Sequence, residues 1–170
     1  MYQTTLHLTT SDEGDVIDIT PFISEAVLKS EVVTGLVHLF VPGSTAALTT
    51  IEYEPGAVAD LRSALSRIAP EDAVYAHDKR WGDGNGRSHV RAAIIGPSLT
   101  VPVAEKRLLL GRWQQVVLCQ LPTTKVMGLH FHLPDLLGSG RSAIGWLISA
   151  LDVCIITVIF SKEVPYTYLN

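Results

Sequence analysis

Short β-forming runs open the chain, from Gln3 to Thr10 and from Asp15 to Thr20, with the polar turn Ser11-Asp12-Glu13-Gly14 between them. That arrangement predicts a hairpin of two strands. The period then lengthens. Phe22, Ile23, Ala26 and Val27 recur at helical spacing, with Thr20 placed to cap and Pro21 in the first turn, so an amphipathic helix is expected to about Ser30. The apolar run Gly35 to Val41 is too short for a helix and predicts a buried strand, in which His38 is the only polar member and reads as a satisfied core histidine.

Ala47 to Tyr53 returns to β character. Val58, Leu61, Leu65 and Ile68 form the apolar stripe of a helix that starts after Pro55-Gly56 and is stopped by Pro70. Further on, Ser88 as a cap favours a short helix over Val90 to Ile95. Leu99 to Val103 and Arg107 to Leu110 read as a hairpin around Ala104-Glu105-Lys106, and Trp113 to Leu118 as a strand opened by Gly111. Strands and helices mixed with hairpins, without βαβ repetition, predict an α+β fold.

Beyond Gln120 the character changes. Trp146 to Phe160 is almost wholly apolar apart from Ser149, Asp152 and Thr157, and falls short of the ~20 residues needed to cross a bilayer. A buried helix or strand is expected there, and no membrane partner. His130 and His132 would share one face of a strand, but without a third ligand nearby they do not read as a metal site.

At 170 residues the chain has room for one domain with a substantial core. Hydrophobic residues make up 47% and charged residues 18%, which hints that some surface is buried against other subunits. The net charge of −4 and pI near 5.8 argue against nucleic acid as a partner, leaving a local basic patch such as Arg80, Arg87 and Arg91 to grip a small anion. Cys119 and Cys154 lie far apart and the N-terminus has neither the basic nor the apolar part of an export signal, so a cytoplasmic location with free thiols is expected.

Candidate chemistry gathers between Tyr75 and Ala92. This stretch carries His77 and His89, Asp78 and Asp83, Asn85, and Arg87 and Arg91, interrupted by Gly82, Gly84 and Gly86. Alternating glycines let the backbone take positive φ and lie close to a bound group, although a solvated turn would use them the same way. Two further places are candidates. The turn Pro42-Gly43-Ser44-Thr45-Ala46 either cradles a phosphate or merely reverses the chain, and Glu52 and Glu54 are either acids, bases or cation ligands at a strand end or an exposed sheet face.

Several segments together resemble the YjbQ-like family, whose members carry the name secondary thiamine-phosphate synthase. They are Phe40 to Thr49, Glu52 to Asp60, Tyr75-Ala76-His77-Asp78, Gly82-Asp83-Gly84-Asn85, Ser88 to Ala92, Gly96-Pro97-Ser98-Leu99 and Leu110 to Gln115, in unbroken order. The resemblance implies a single α+β domain of packed antiparallel β-sheets with two or three helices, associating as a homotrimer. It implies catalytic roles for His77, His89, Asn85 and Glu52. Substrate contacts would come from Ser44, Thr45, Asp83, Arg91, Gly111, Trp113 and Gln114. The activity it carries joins a pyrimidine methyl diphosphate to a thiazole phosphate and releases pyrophosphate, for which Mg²⁺ is the expected cofactor, without a firm metal site.

Many members have histidine where this chain has Gly43, so a three-histidine site would keep only His77 and His89 here; a glycine variant also occurs. The resemblance covers about Thr5 to Leu118, which divides the chain into a domain over 1–120 and an atypical tail over 121–170. On that division the closing strand of the sheet is missing or replaced. The alternative to an enzyme is a non-catalytic protein that binds a phosphorylated metabolite.

Overall fold

The computed structural model describes residues 2–9, 14–121 and 153–161. In chain order the elements are β1 (Tyr2–Thr9), β2 (Val16–Asp18), α1 (Thr20–Lys29), β3 (Gly35–Phe40), β4 (Ala46–Ile51) and α2 (Pro55–Ile68). There follow α3 (Ala76–Trp81), α4 (Gly86–Ile95), β5 (Ser98–Ala104), β6 (Arg107–Leu108), β7 (Gln115–Gln120) and β8 (Val153–Ser161). One sheet runs β1-β8-β3-β5-β6 and the other β2-β7-β4, and every pairing is antiparallel. The α+β class and the packed antiparallel sheets are as expected; the described residues hold four helices rather than two or three.

Strand β7 shows why the layers stack as they do. It is buried on both sides, so it reads as the continuous apolar run Val116-Val117-Leu118-Cys119. Val116 and Leu118 face a core shared with Val37 and Leu39 of β3, Val101 and Val103 of β5, Ile156 and Val158 of β8, and Ile23 and Val27 of α1. Val117 and Cys119, one residue out of phase, face a second core closed by Leu65 of α2 and Ala92 of α4. The small sheet therefore lies between the large sheet and a layer formed by α2 and α4. Burial in that second core pushes the Cys119 thiol up to about 11, against a smaller opposing pull from Arg62.

Several local expectations change on folding. The opening strands do not form a hairpin: β1 pairs with β8 in the large sheet and β2 with β7 in the small one. Their patterns marked strands correctly, but the choice of partner is a long-range matter that alternation does not encode. Thr20 does not cap α1. Its Oγ1 instead accepts from the backbone N–H of Val116 at 2.8 Å, tying the helix start to β7. On α2, Leu65 is buried and Val58 and Leu61 are partly buried, whereas Ile68 is exposed. His38 has a hydrogen-bond partner, its Nδ1 lying 2.8 Å from Thr100 Oγ1 on the neighbouring strand, but it is half-buried on the strand's face rather than in the core. The turn at Glu105 and Lys106 has φ of 51° and 59°, the twist a two-residue hairpin needs.

A closing strand is present, supplied by the segment expected to be an atypical tail. Residues 153–161 enter the large sheet between β1 and β3, pairing Leu6 with Ile156 on one side and Leu39 with Val158 on the other. The end of the apolar run is thus a strand, and β3 gains a partner on its open side. His130, His132 and the rest of 122–152 lie outside the described residues. Among the described residues no helix is long and apolar enough to cross a membrane.

Candidate functional site

The polar stretch is not a loop but two helices joined by a tight turn. Helix α3 ends at Gly82, whose φ of 68° is left-handed and whose N–H donates to the Asp78 carbonyl at 2.8 Å. The turn leads directly into α4, which begins at Gly86 with Asn85 as its N-cap residue; Ser88, expected as the cap, lies inside the helix and is fully buried. Gly86 is needed for a different reason from Gly82. A Cβ there would stand 2.6 Å from Tyr75 Cβ and 2.9 Å from Asp78 Oδ1, so only a glycine lets the two helices approach this closely. The Asp78 carboxylate completes the corner by accepting from the Gly86 N–H at 2.8 Å.

This corner brings the two imidazoles together. The rings of His77 and His89 have centroids 4.4 Å apart and are tilted by 53°. His89 Nδ1 lies 3.1 Å from the Ser44 carbonyl oxygen. A carbonyl only accepts, so Nδ1 carries the proton and Nε2 of the neutral ring keeps its lone pair. The β3–β4 turn thus reaches the site through a backbone carbonyl. His77 Nδ1 stands 3.2 Å from Asp83 Oδ1 and 3.5 Å from Asp78 Oδ1. Despite those separations, neither His77 Nδ1 nor Asp83 Oδ1 makes a hydrogen bond, because the ring N–H direction does not aim at the carboxylate oxygen. Asn85, only 5% exposed, likewise has its Oδ1 without a partner.

The arginines of the same stretch do the opposite. Arg91 gives Nε and Nη2 to the Ala69 carbonyl at 3.1 and 2.7 Å, and Arg87 gives Nη1 to the Gly84 carbonyl at 2.6 Å and Nη2 to Glu71 at 3.1 Å. Both are buried. Two of the three arginines expected as a basic patch therefore direct donors at helix-end and turn carbonyls, while Arg80 is exposed with its guanidinium 5.5 Å from the Trp81 ring. Arg91 borders a cavity of about 630 Å³ with Arg62, Ser66 and Cys119, which none of His77, Asp83, Asn85 and His89 lines.

The remaining candidates lie on other elements. Glu52 is exposed just past the end of β4, and Glu54 is the N-cap of α2, its carboxylate accepting from the N–H groups of Gly56 and Ala57. The Thr45 carbonyl accepts from the Leu121 N–H at 2.9 Å, which holds the turn to the end of β7. Gln114 links Gly111 to β4, accepting from the Gly111 N–H at 3.1 Å and donating to Thr50 Oγ1 at 3.0 Å. Trp113 is exposed beneath the guanidinium of Arg112. Asp78 was visible in the sequence beside His77 yet carried no assigned role. Its importance comes from a contact with Gly86, which depends on the angle between two helices.

Comparison with known proteins agrees with this architecture. The sequence model of the UPF0047 protein YjbQ-like family matches residues 4–132. A UPF0047 protein of Methanothermobacter thermautotrophicus is 36% identical over 121 residues, covering 71% of this chain and 83% of that protein. The UPF0047 protein YjbQ of Salmonella typhimurium is 32% identical over 116 residues, 68% of this chain and 83% of its own length. Among solved structures, a YbjQ-like protein of unknown function from Sulfolobus solfataricus superposes with a TM-score of 0.75 at 23% identity, covering 95% of this chain and 97% of that one. A conserved hypothetical protein from Thermus thermophilus gives 0.66 at 27% identity, covering 93% of this chain and 99% of that one.

Proposed function

The chain belongs to the YjbQ-like UPF0047 family, and from that premise we propose that the His77–His89 pair is an acid–base centre acting on a small phosphorylated substrate. The observation that carries this reading is the imidazole pair itself, with ring centroids 4.4 Å apart and His89 Nδ1 fixed on the Ser44 carbonyl. A histidine anchored through one nitrogen presents the other in a defined direction, which is what proton transfer requires. A surface histidine with no such anchor would sweep over many rotamers.

The finer assignment is a reaction of the secondary thiamine-phosphate synthase type. The thiazole nitrogen attacks the pyrimidine methylene carbon, the carbon–oxygen bond to the diphosphate breaks, and pyrophosphate leaves. Departure of that anion is assisted by a proton or a cation. Arg87 and Arg91 are committed to protein carbonyls, so the imidazoles are the groups best placed to move the proton, with Asn85 orienting the substrate.

The test is turnover of both thiamine precursors in Mg²⁺, followed by pyrophosphate release. His89→Ala is expected to lower kcat by at least ~100-fold, in line with removal of a general acid or base, and His77→Ala to do the same. Saturable binding of the precursors with no turnover by the unaltered protein would instead make it a binding protein for a phosphorylated metabolite.

A further inference from the structure

The same corner carries an electrostatic imbalance that proton transfer alone does not explain. Three side-chain atoms among the described residues are buried without a hydrogen-bond partner, His77 Nδ1, Asp83 Oδ1 and Asn85 Oδ1, and all three come from one short stretch. Burying such atoms unsatisfied is costly, and two of them, His77 Nδ1 and Asp83 Oδ1, stand 3.2 Å apart, which points to a missing partner common to them. Asp83 and Asp78 have only 11% and 27% of their side chains exposed, and among the described residues neither is paired with a lysine or arginine. Arg87, the buried cation of the same turn, is spent on Gly84 and Glu71.

We propose that His77, Asp78 and Asp83 form a binding site for one divalent cation of the Mg²⁺ or Mn²⁺ class, to which the unpartnered side-chain oxygen of buried Asn85, two residues on from Asp83, is a further candidate ligand. One ligand atom from each of the first three lies within 4.8 Å of the others, and His77 Nδ1 stands 3.2 Å from Asp83 and 3.5 Å from Asp78, separations that ligands of one ion share. The unaimed His77–Asp83 pair becomes intelligible on this reading, since both lone pairs converge on a third point. Asp78 Oδ1 accepts from the Gly86 N–H and still has a second lone pair to offer. Oxygen donors with a single imidazole nitrogen suit Mn²⁺ and Mg²⁺ better than a thiolate-loving or square-planar metal. The set leaves coordination positions for water or phosphate oxygens. This inference rests on the acid–base reading of the imidazole pair and gives its phosphorylated substrate a cationic contact that Arg87 and Arg91 do not supply.

Direct binding separates the ion from the reaction. Mn²⁺ titrated into the full chain, followed by calorimetry and by loss of the free-ion electron paramagnetic resonance signal, is expected to show one site. Asp83→Asn, which keeps the shape and removes the charge, is expected to weaken that site at least ~10-fold, and so is Asp78→Asn, which retains an oxygen for the Gly86 N–H. Glu25→Gln, exposed on α1 and paired there with Lys29, is expected to leave it unchanged. Thermal melts followed by circular dichroism check that each variant is folded, and the two aspartate variants serve as alternatives should one fail. No uptake by the unaltered chain, or equal uptake by both aspartate variants, overturns the proposal. Uptake with the expected variant pattern but no turnover sinks the reaction and leaves the cation site standing, while turnover without uptake does the reverse.

Discussion

Arg87 and Arg91 come from the same stretch of chain as His77, Asp83 and Asn85, yet the fold treats the two groups in opposite ways. Both guanidinium groups are buried with their donors directed at protein oxygens. On the imidazole, the carboxylate and the amide, by contrast, His77 Nδ1, Asp83 Oδ1 and Asn85 Oδ1 are buried and left without a partner. Polar groups that are fully satisfied by their own chain add rigidity and have nothing to offer a ligand. Groups held rigid by others but left unsatisfied are the ones a ligand can complete. Residue type does not separate these classes, since arginine would ordinarily be the first choice for gripping phosphate.

The contrast can be broken most forcefully from the scaffold side. Arg91→Met keeps the length and apolar stem but leaves the buried Ala69 carbonyl without its two donors, so a loss of about 3 kcal/mol in unfolding free energy is expected by urea titration. A change within ~0.5 kcal/mol would mean that Arg91 is not a structural clamp and would return it to the ligand-binding group. Gly86→Ala should follow, at about 2 kcal/mol. Its Cβ meets the Tyr75 Cβ, an atom close to the main chain that cannot swing away, and the ~1 kcal/mol gained from alanine in a helix offsets only part of that overpacking. Unchanged stability there would show that α3 and α4 have room to separate. The smallest effect is expected at Asp83→Asn. An atom with no hydrogen-bond partner contributes little to folding, so the same urea titration should move by less than ~0.5 kcal/mol in the absence of added cation. A large loss would place Asp83 with the scaffold.

Much of this was legible along the chain, for identifiable reasons. Helix α2 announced itself because the apolar spacing from Val58 to Leu65, the start at Pro55 and the stop at Pro70 are all local signals. The turn at Glu105 and Lys106 was equally visible between two β-forming runs. The candidate residues His77, Asn85 and His89 stood out because polar groups punctuated by glycine are unusual in so apolar a sequence. Three things were not legible: the partner of β1, the role of Asp78 and the commitment of the arginines. Each depends on where a distant or turned-back segment arrives. Nothing near Leu6 indicates that its neighbour will be Ile156, and nothing near Arg91 indicates that the end of α2 will present it with the Ala69 carbonyl.

What the amino-acid order determined by itself was the set of pieces: which runs become strands, where helices stop, and which stretch concentrates imidazole, carboxylate and amide groups. Those follow from side-chain periodicity and from the backbone freedom of glycine and proline, which act over a few residues. The tertiary structure alone decided which polar groups are used up and which remain available. That division is settled by distances between atoms on different elements, and such distances exist only once the α3–α4 corner has closed and the β3–β4 turn has come to rest against His89.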